Sequence, residues 1–225
     1  MITNQLYWTR DETGEVGLAL DQTVTRPTNL RDLFSRPFPP PRRKIQACKG
    51  DVLISGRGSG GLVGHAAIMV NGCWVLEMPG GEGWQYGIED NNRLISLGDW
   101  LDLHKEDGIT LYRNEDTDVA YAAADWAYKN YYNQYGGSEK TQHITYLLTP
   151  NVWAKDPSYC SKLVIQAYHF GSGDRDVIRD VFPLHTGYIV PTTLPTYFKS
   201  PYKLNNVTML SRIEDILDYF TLEKN

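Results

Sequence analysis

Three short runs between Gly50 and Met78 constrain the fold more than any other part of the chain. GDVLIS (50–55), HAAIMV (65–70) and CWVLEM (73–78) are apolar, contain β-branched residues and are bounded by turn-forming residues, so each reads as a strand. Asn71-Gly72 between the second and third is a strong two-residue hairpin signal. A parallel connection needs a crossover of about a dozen residues or more, which these turns do not provide, so the core contains an antiparallel sheet. WQYGIE (84–89), RLISL (93–97) and GITLYR (108–113) continue the strand pattern, and GDWLDLH (98–104) suits a short helix. After Asp116 the period changes. DTDVAYAAADWAYKNYYNQYGG carries alanines and aromatics at helical spacing, with Asp116 or Asp118 as cap and Gly136-Gly137 as stop.

The flanks are less regular. Residues 138–155 show neither period, DRDVIRDV (174–181) suits a short helix, GYIV (187–190) a strand, and Ser211 with Glu214 forms a capping box ahead of IEDILDYF. Residues 1–49 read as an appendage. Leu18, Leu20 and Val24 fall in short extended pieces, and Leu30–Ser35 allows a turn or two of helix. PFPPPRRK (37–44) excludes helix and central strand alike and favours an extended connector, a proline-rich ligand for a partner being the alternative. The expected division is therefore 1–49 and 50–225.

Composition removes several classes of function. With 22 Lys and Arg against 27 Asp and Glu, the formal charge of −5 gives no general attraction to nucleic acid or anionic membrane. The first residues are polar, and no run of eighteen apolar residues occurs. The expectation is a soluble protein, cytoplasmic as written, with no integral membrane segment and with export by another route left open. Cys48, Cys73 and Cys160 form no CxxC pair, and three thiols cannot all pair with one another. Five histidines show neither HExxH nor a zinc spacing, so no metal site is expected.

Chemistry centres on DPSYCSKLVIQAYHF (156–170). Asp156 as N-cap and Pro157 at the first helical position predict a helix that opens just before Cys160, with Leu163, Val164, Ala167 and Tyr168 on its buried face. A thiol there sits at the positive end of the helix dipole, which favours the thiolate. A cysteine nucleophile needs a base and a group that orients the base. His65, first in its strand and directly after a glycine loop, is the candidate base. Glu77, the one charge in CWVLEM, is the candidate orienter. The register decides whether they meet. A three-residue loop (70–72) places Glu77 opposite His65, whereas the two-residue Asn71-Gly72 turn favoured by the sequence places Met78 there. Failing Glu77, the orienter would be Glu82, Glu89, or a backbone or amide oxygen. The rivals are weaker. Gly56, Gly58 and Gly61 match GxGxxG but open a strand, and Ser59 lacks the spacing of a nucleophile elbow. A non-catalytic module binding a peptide or glycan remains an alternative.

GDVLI, then GHAAIMV, then WVLEM, and much later SYCSKLVIQAY followed by GYIVPTTL, resembles the circularly permuted branch of the NlpC-type papain-like cysteine hydrolases, related to the lecithin:retinol acyltransferase group. The resemblance covers about Gly50 to Leu194. It implies an α+β papain-like core with a mainly antiparallel sheet packed on the cysteine-bearing helix. It implies Cys160 as nucleophile, His65 as base, Glu77 as orienter, and no cofactor. From their positions, the Cys160 N–H at a helix N-terminus is the expected first oxyanion donor, and the Tyr159 hydroxyl a candidate second whose alternative role is packing. The glycine loop 56–64, leading straight into His65, is expected to gate the cleft, and helix 118–135 to supply a wall. The expected reaction is cleavage of a peptide-like amide through a thioester, the alternative being a lipid acyl hydrolase or acyltransferase on the same residues. Relatives that cut cell-wall peptides are usually exported, which leaves open an acyl or amide substrate inside the cell.

Overall fold

The computed structural model describes residues 6–10, 16–20, 45–56, 64–179 and 187–208. Contacts divide the chain into two compact units, Met1–Gln46 with Asn206–Asn225, and Ala47–Asn205. In the first, β1 (Leu6–Arg10) pairs antiparallel with β2 (Val16–Leu20), Leu6 opposite Leu20. The proline-rich connector, the 30–35 turn and the capping box at Ser211 lie outside the described residues, as does most of the glycine loop.

The larger unit is α+β. Strands β3 (Val52–Ser55), β4 (His65–Met69), β5 (Trp74–Glu77), β6 (Arg93–Ser96), β7 (Ile109–Asn114) and β8 (Leu204–Asn206) form one sheet in the order β6-β5-β4-β3-β7-β8. β4 pairs antiparallel with β3 and with β5, and every residue of it is buried. Helix α1 (Leu97–His104) follows β6 directly and is capped by Ser96, whose hydroxyl accepts from the Asp99 N–H at 3.1 Å. Helices α2 (Thr117–Tyr131) and α3 (Cys160–Gly171) pack on each other and share a core with Ile54, Ala66, Ile68 and Leu76 of the sheet. Small residues set their spacing, since α2 buries Ala120, Ala123, Ala124 and Ala127. A side chain at Gly171 would come within 2.7 Å of the Ala122 carbonyl.

Several expectations need correction. The β4–β5 register is neither of the two considered. Ala67 faces Glu77 and Met69 faces Val75, and the Val70 N–H donates to the Trp74 carbonyl at 2.9 Å, so the loop is 71–73. The Asn71 carboxamide drives this choice, accepting from the Cys73 and Trp74 N–H groups at 2.8 and 2.9 Å and closing a three-residue loop where a two-residue turn was expected. WQYGIE is not a strand but a 3₁₀ turn (Trp84–Tyr86) followed by a single bridge from Ile88 to Tyr146. The described part of 174–181 is not helical; Ile178 bridges to Phe198 instead. GYIV is not a strand either. Side chains of the Cys160 region fasten it: the Ser161 hydroxyl donates to the Ile189 carbonyl at 2.5 Å, and the Tyr159 hydroxyl accepts from the Ile189 N–H at 3.1 Å.

Helix α3 opens three residues later than expected, with Tyr159 at the N-cap position. Asp156 does not cap it, because its carboxylate accepts from the Thr145 N–H at 2.9 Å. Ser158 is held in a parallel bridge beside Tyr146, its N–H donating to the Thr145 carbonyl at 2.8 Å and its carbonyl accepting from the Leu147 N–H at 2.9 Å. The chain is therefore extended up to the residue before Cys160.

Gly50 joins sheet to helix where nothing larger fits. Its φ is +85°, and a Cβ there would fall 2.3 Å from the Ala120 carbonyl oxygen. Gly50→Ala is expected to lower the unfolding free energy by about 2 kcal/mol or more through the left-handed backbone and the clash together. A denaturant titration that matches wild type would refute this.

Candidate active site

The corrected register brings the candidate residues together by parity. Side chains two apart on a strand share a face, so Ala67, opposite Glu77, places His65 on Glu77's side of the sheet, one step along the diagonal. His65 Nε2 lies 2.6 Å from Glu77 Oε2, and both groups are buried. The Trp100 indole of α1 donates to the same carboxylate oxygen at 2.9 Å, while Arg93 of β6 donates to Oε1 through Nε at 2.7 Å and through its terminal nitrogen at 2.6 Å. Glu77 is thus a buried carboxylate whose lone pairs meet donors from three elements. Glu82 and Glu89, the alternatives in the sequence, are not its substitutes.

With Nε2 committed to Glu77, Nδ1 is the ring nitrogen left to serve Cys160. The sulfur is buried at the first position of α3 and interacts with His65 through hydrogen bonding and charge. Burial opposes ionisation of the thiol, but His65 and the backbone N–H groups of Ala66 and Ser161 outweigh it and hold the Cys160 pKa below its ordinary value. On His65, burial acts against the cation, while Cys160 and Glu77 raise the pKa to about 10. On Glu77, burial acts against the anion, while His65 and Arg93 lower it to about 2. The directions agree: His65 and Cys160 each favour the charged form of the other, and His65 rests on the Glu77 carboxylate.

His104 stacks on His65 (centroids 5.3 Å apart, planes at 13°) and lies tilted against Trp100 (4.4 Å, 38°), and its Nδ1 lies 2.8 Å from Asp107. One donor atom each from His65, Glu77 and His104 lie within 4.8 Å of one another, a spacing that could hold a cation. Glu77 already accepts from Arg93 and Trp100 there, and His104 holds Asp107 through Nδ1. Arg93, Trp100 and His104 were not singled out in the sequence, since each is an ordinary residue of an edge strand or a short helix. The only sequence hint was that a lone buried carboxylate needs donors. Tyr159 is buried next to Cys160, with its hydroxyl oxygen on the Ile189 N–H.

The approach to Cys160 is fixed by buried polar side chains. The Tyr131 hydroxyl lies 2.8 Å from both the Ser158 hydroxyl and Gln166 Oε1, and Gln166 donates to the carbonyls of Val152 and Ala154 at 2.5 and 3.0 Å. Lys162 is fully buried on α3 and donates to the Pro157 carbonyl at 2.7 Å and the Thr149 hydroxyl at 3.3 Å. No disulfide joins Cys48, Cys73 and Cys160, and no helix among the described residues is long and apolar enough to cross a membrane.

A family profile described as "Lipoprotein N-acylation protein LnsA-like" matches residues 25–210. An uncharacterized 30.3 kDa protein of Bacillus thuringiensis is 35% identical over 158 residues, 68% of this chain and 54% of the relative. The chain thus aligns with about half the length of that relative. No solved structure matches.

Two outcomes are expected. Iodoacetamide should alkylate Cys160 rapidly below pH 7, and His65→Ala should remove that reactivity; a rate that rises only near pH 8.5 in both proteins would show that the thiolate–imidazolium pair does not exist. Glu77 has a depressed pKa, so the stability it contributes is present above about pH 4.5 and is lost as pH falls toward 2. Thermal melts from pH 6 to 2 should therefore show a shallower acid loss for Glu77→Gln than for wild type, and equal slopes would remove Glu77 from the linkage.

Proposed function

The chain belongs to the family of LnsA-like lipoprotein N-acylation proteins, and we propose that it is a cysteine-dependent acyltransferase that takes an acyl group from a lipid ester onto Cys160 and passes it to an amine. The observation that carries this reading is the buried Cys160–His65–Glu77 arrangement, with Glu77 held on the ring nitrogen that His65 does not need for the thiol. The α+β core is read as papain-like in circularly permuted order, with the histidine strand ahead of the cysteine helix.

In the first half-reaction the Cys160 thiolate attacks the ester carbonyl carbon and a C–S bond forms. The tetrahedral adduct collapses, the C–O bond breaks, and His65 gives its proton to the departing alkoxide. An amine then attacks the thioester, loses a proton to His65, and expels the thiolate as the C–S bond breaks. Glu77 holds the ring in place and balances its charge through the cycle. Water in place of the amine gives hydrolysis. The same residues could cut a peptide amide, the first expectation from the sequence, but the family description speaks of N-acylation and favours the lipid acyl reading.

The test is acyl-enzyme formation on vesicles of diacyl phosphatidylglycerol or phosphatidylethanolamine, followed by intact-mass measurement. Wild type should gain one fatty-acyl mass that neutral hydroxylamine removes, as a thioester requires; Cys160→Ala should gain none, and His65→Ala should acylate at least about 100-fold more slowly. Peptide amide cleavage by a wild type that never acquires the acyl mass would overturn the lipid reading.

A further inference from the structure

The proposed reaction uses Cys160, His65 and Glu77 and leaves His104 without a task. Yet the His104 ring lies almost parallel to that of His65, with centroids 5.3 Å apart and planes at 13°, which is the geometry of an offset stack. One helical turn earlier on α1, the Trp100 indole donates to the same Glu77 oxygen that His65 meets. Positions 100 and 104 share a helix face, so α1 presents one side chain to each member of the His65–Glu77 pair. Trp100 serves the carboxylate with a hydrogen bond. His104 serves the imidazole with a flat side.

The His104 ring is itself fixed. Its Nδ1 lies 2.8 Å from Asp107 Oδ2, and the two side chains are only 12% and 22% exposed. The Asp107 N–H donates to the His104 carbonyl at 2.9 Å, and the Asp107 carbonyl accepts from the Gly56 N–H at 2.9 Å. Gly56 follows Ser55, the β3 residue opposite His65. A Cβ at Gly56 would fall 2.7 Å from the Asp107 carbonyl oxygen, so only glycine allows this approach. The links form a closed circuit: from His65 across the ladder to Ser55, through Gly56 and Asp107 to the His104 ring, and back to His65 by the stack. The titratable groups facing His104 are His65 of β4, Glu77 of β5 and Asp107 of the turn after α1. Burial pushes the His104 pKa below its ordinary value, against the pull of Asp107 and Glu77, so the ring favours an uncharged face toward His65.

We propose that His104 is a positioning residue: its ring, clamped by Asp107, sets the plane of the His65 ring and so keeps Nε2 on Glu77 and Nδ1 available to Cys160. The bond between a histidine's Cβ and its ring turns through a broad range, so one hydrogen bond to Glu77 fixes a point on the imidazole and leaves its tilt open. A flat neighbour narrows that tilt. The neighbour is effective only if its own ring cannot turn, which is what Asp107 provides. A reacting group held by packing and by hydrogen bonds to its supports keeps its geometry through the reaction. This inference rests on His65 serving Cys160 in the proposed acyl transfer.

Two readouts test this at separate levels: the pH dependence of Cys160 alkylation by iodoacetamide, and the titration of the His65 ring followed by ¹H–¹⁵N NMR. In His104→Ala the half-point of alkylation should rise by about one pH unit, a tenfold loss of rate on the acid side, and His65 should lose its proton at lower pH than in wild type. Asp107→Ala should shift both readouts the same way. Asp107→Asn, whose amide oxygen accepts the same hydrogen bond, should restore them. Asp107→Ala added to His104→Ala should change nothing more, because Asp107 acts through the ring. A lowered melting temperature with both titrations at wild-type values would make His104 a packing residue and overturn the proposal. Equal shifts in Asp107→Asn and Asp107→Ala would overturn it too, by tracing the effect to charge. If His104→Ala does not fold, the two Asp107 variants decide by the same criteria. If wild-type Cys160 shows no fast alkylation below pH 7, the nucleophile reading falls, and the His65 titration still decides whether His104 places the ring.

Discussion

The buried carboxylate of Glu77 is the constraint on which the rest of the site depends. A charge with no exposed surface must be compensated where it lies, and removing one partner of such a pair typically costs about 3–5 kcal/mol. Its compensation comes from β4, β6 and α1 at once, through His65, Arg93 and Trp100. The carboxylate therefore fixes the positions of those three elements relative to β5. It also sets the state of His65. A ring that rests on an anion through one nitrogen holds its proton more tightly, and the same ring beside Cys160 lowers the thiol's pKa.

A second set of buried polar groups does for the irregular chain what the sheet does for the strands. Residues 138–158 have almost no regular structure, yet they lead to the N-terminus of the cysteine helix. Asn92 donates to the carbonyls of Tyr131 and Gln142 and accepts from the Ile144 N–H; Gln166 takes the carbonyls of Val152 and Ala154, and Lys162 that of Pro157. A segment without a ladder still must satisfy its backbone groups. Side chains of α3 and of the turn before β6 do so here. The extended approach to Cys160, and with it the place of Tyr146, follows from that stitching.

The chemistry shared by ester and amide substrates explains why the site geometry alone does not choose between them. A thiolate, an acid–base histidine and a hydrogen-bond donor serve both carbonyls equally well. What separates the two readings is the family to which the chain belongs, whose description is one of acyl transfer to nitrogen.

The sequence by itself determined the strands 50–55, 65–70 and 73–78, the short helix after β6, the capped alanine-rich helix and the helix carrying Cys160, because apolar period and capping residues act locally. It also marked Cys160, His65 and Glu77, since a lone charge in an apolar strand and a histidine at a strand start are visible without a fold. The tertiary structure alone decided that they meet. The register turned on the Asn71 side chain, whose two hydrogen bonds moved the loop to 71–73 and kept Glu77 on the face of His65 by parity. The late start of α3 turned on Asp156 finding Thr145 and Ser158 finding Tyr146, partners eleven and twelve residues away. Arg93, Trp100 and His104 carry no local signal. Their roles come from long-range proximity, which a one-dimensional pattern of spacing and propensity does not contain.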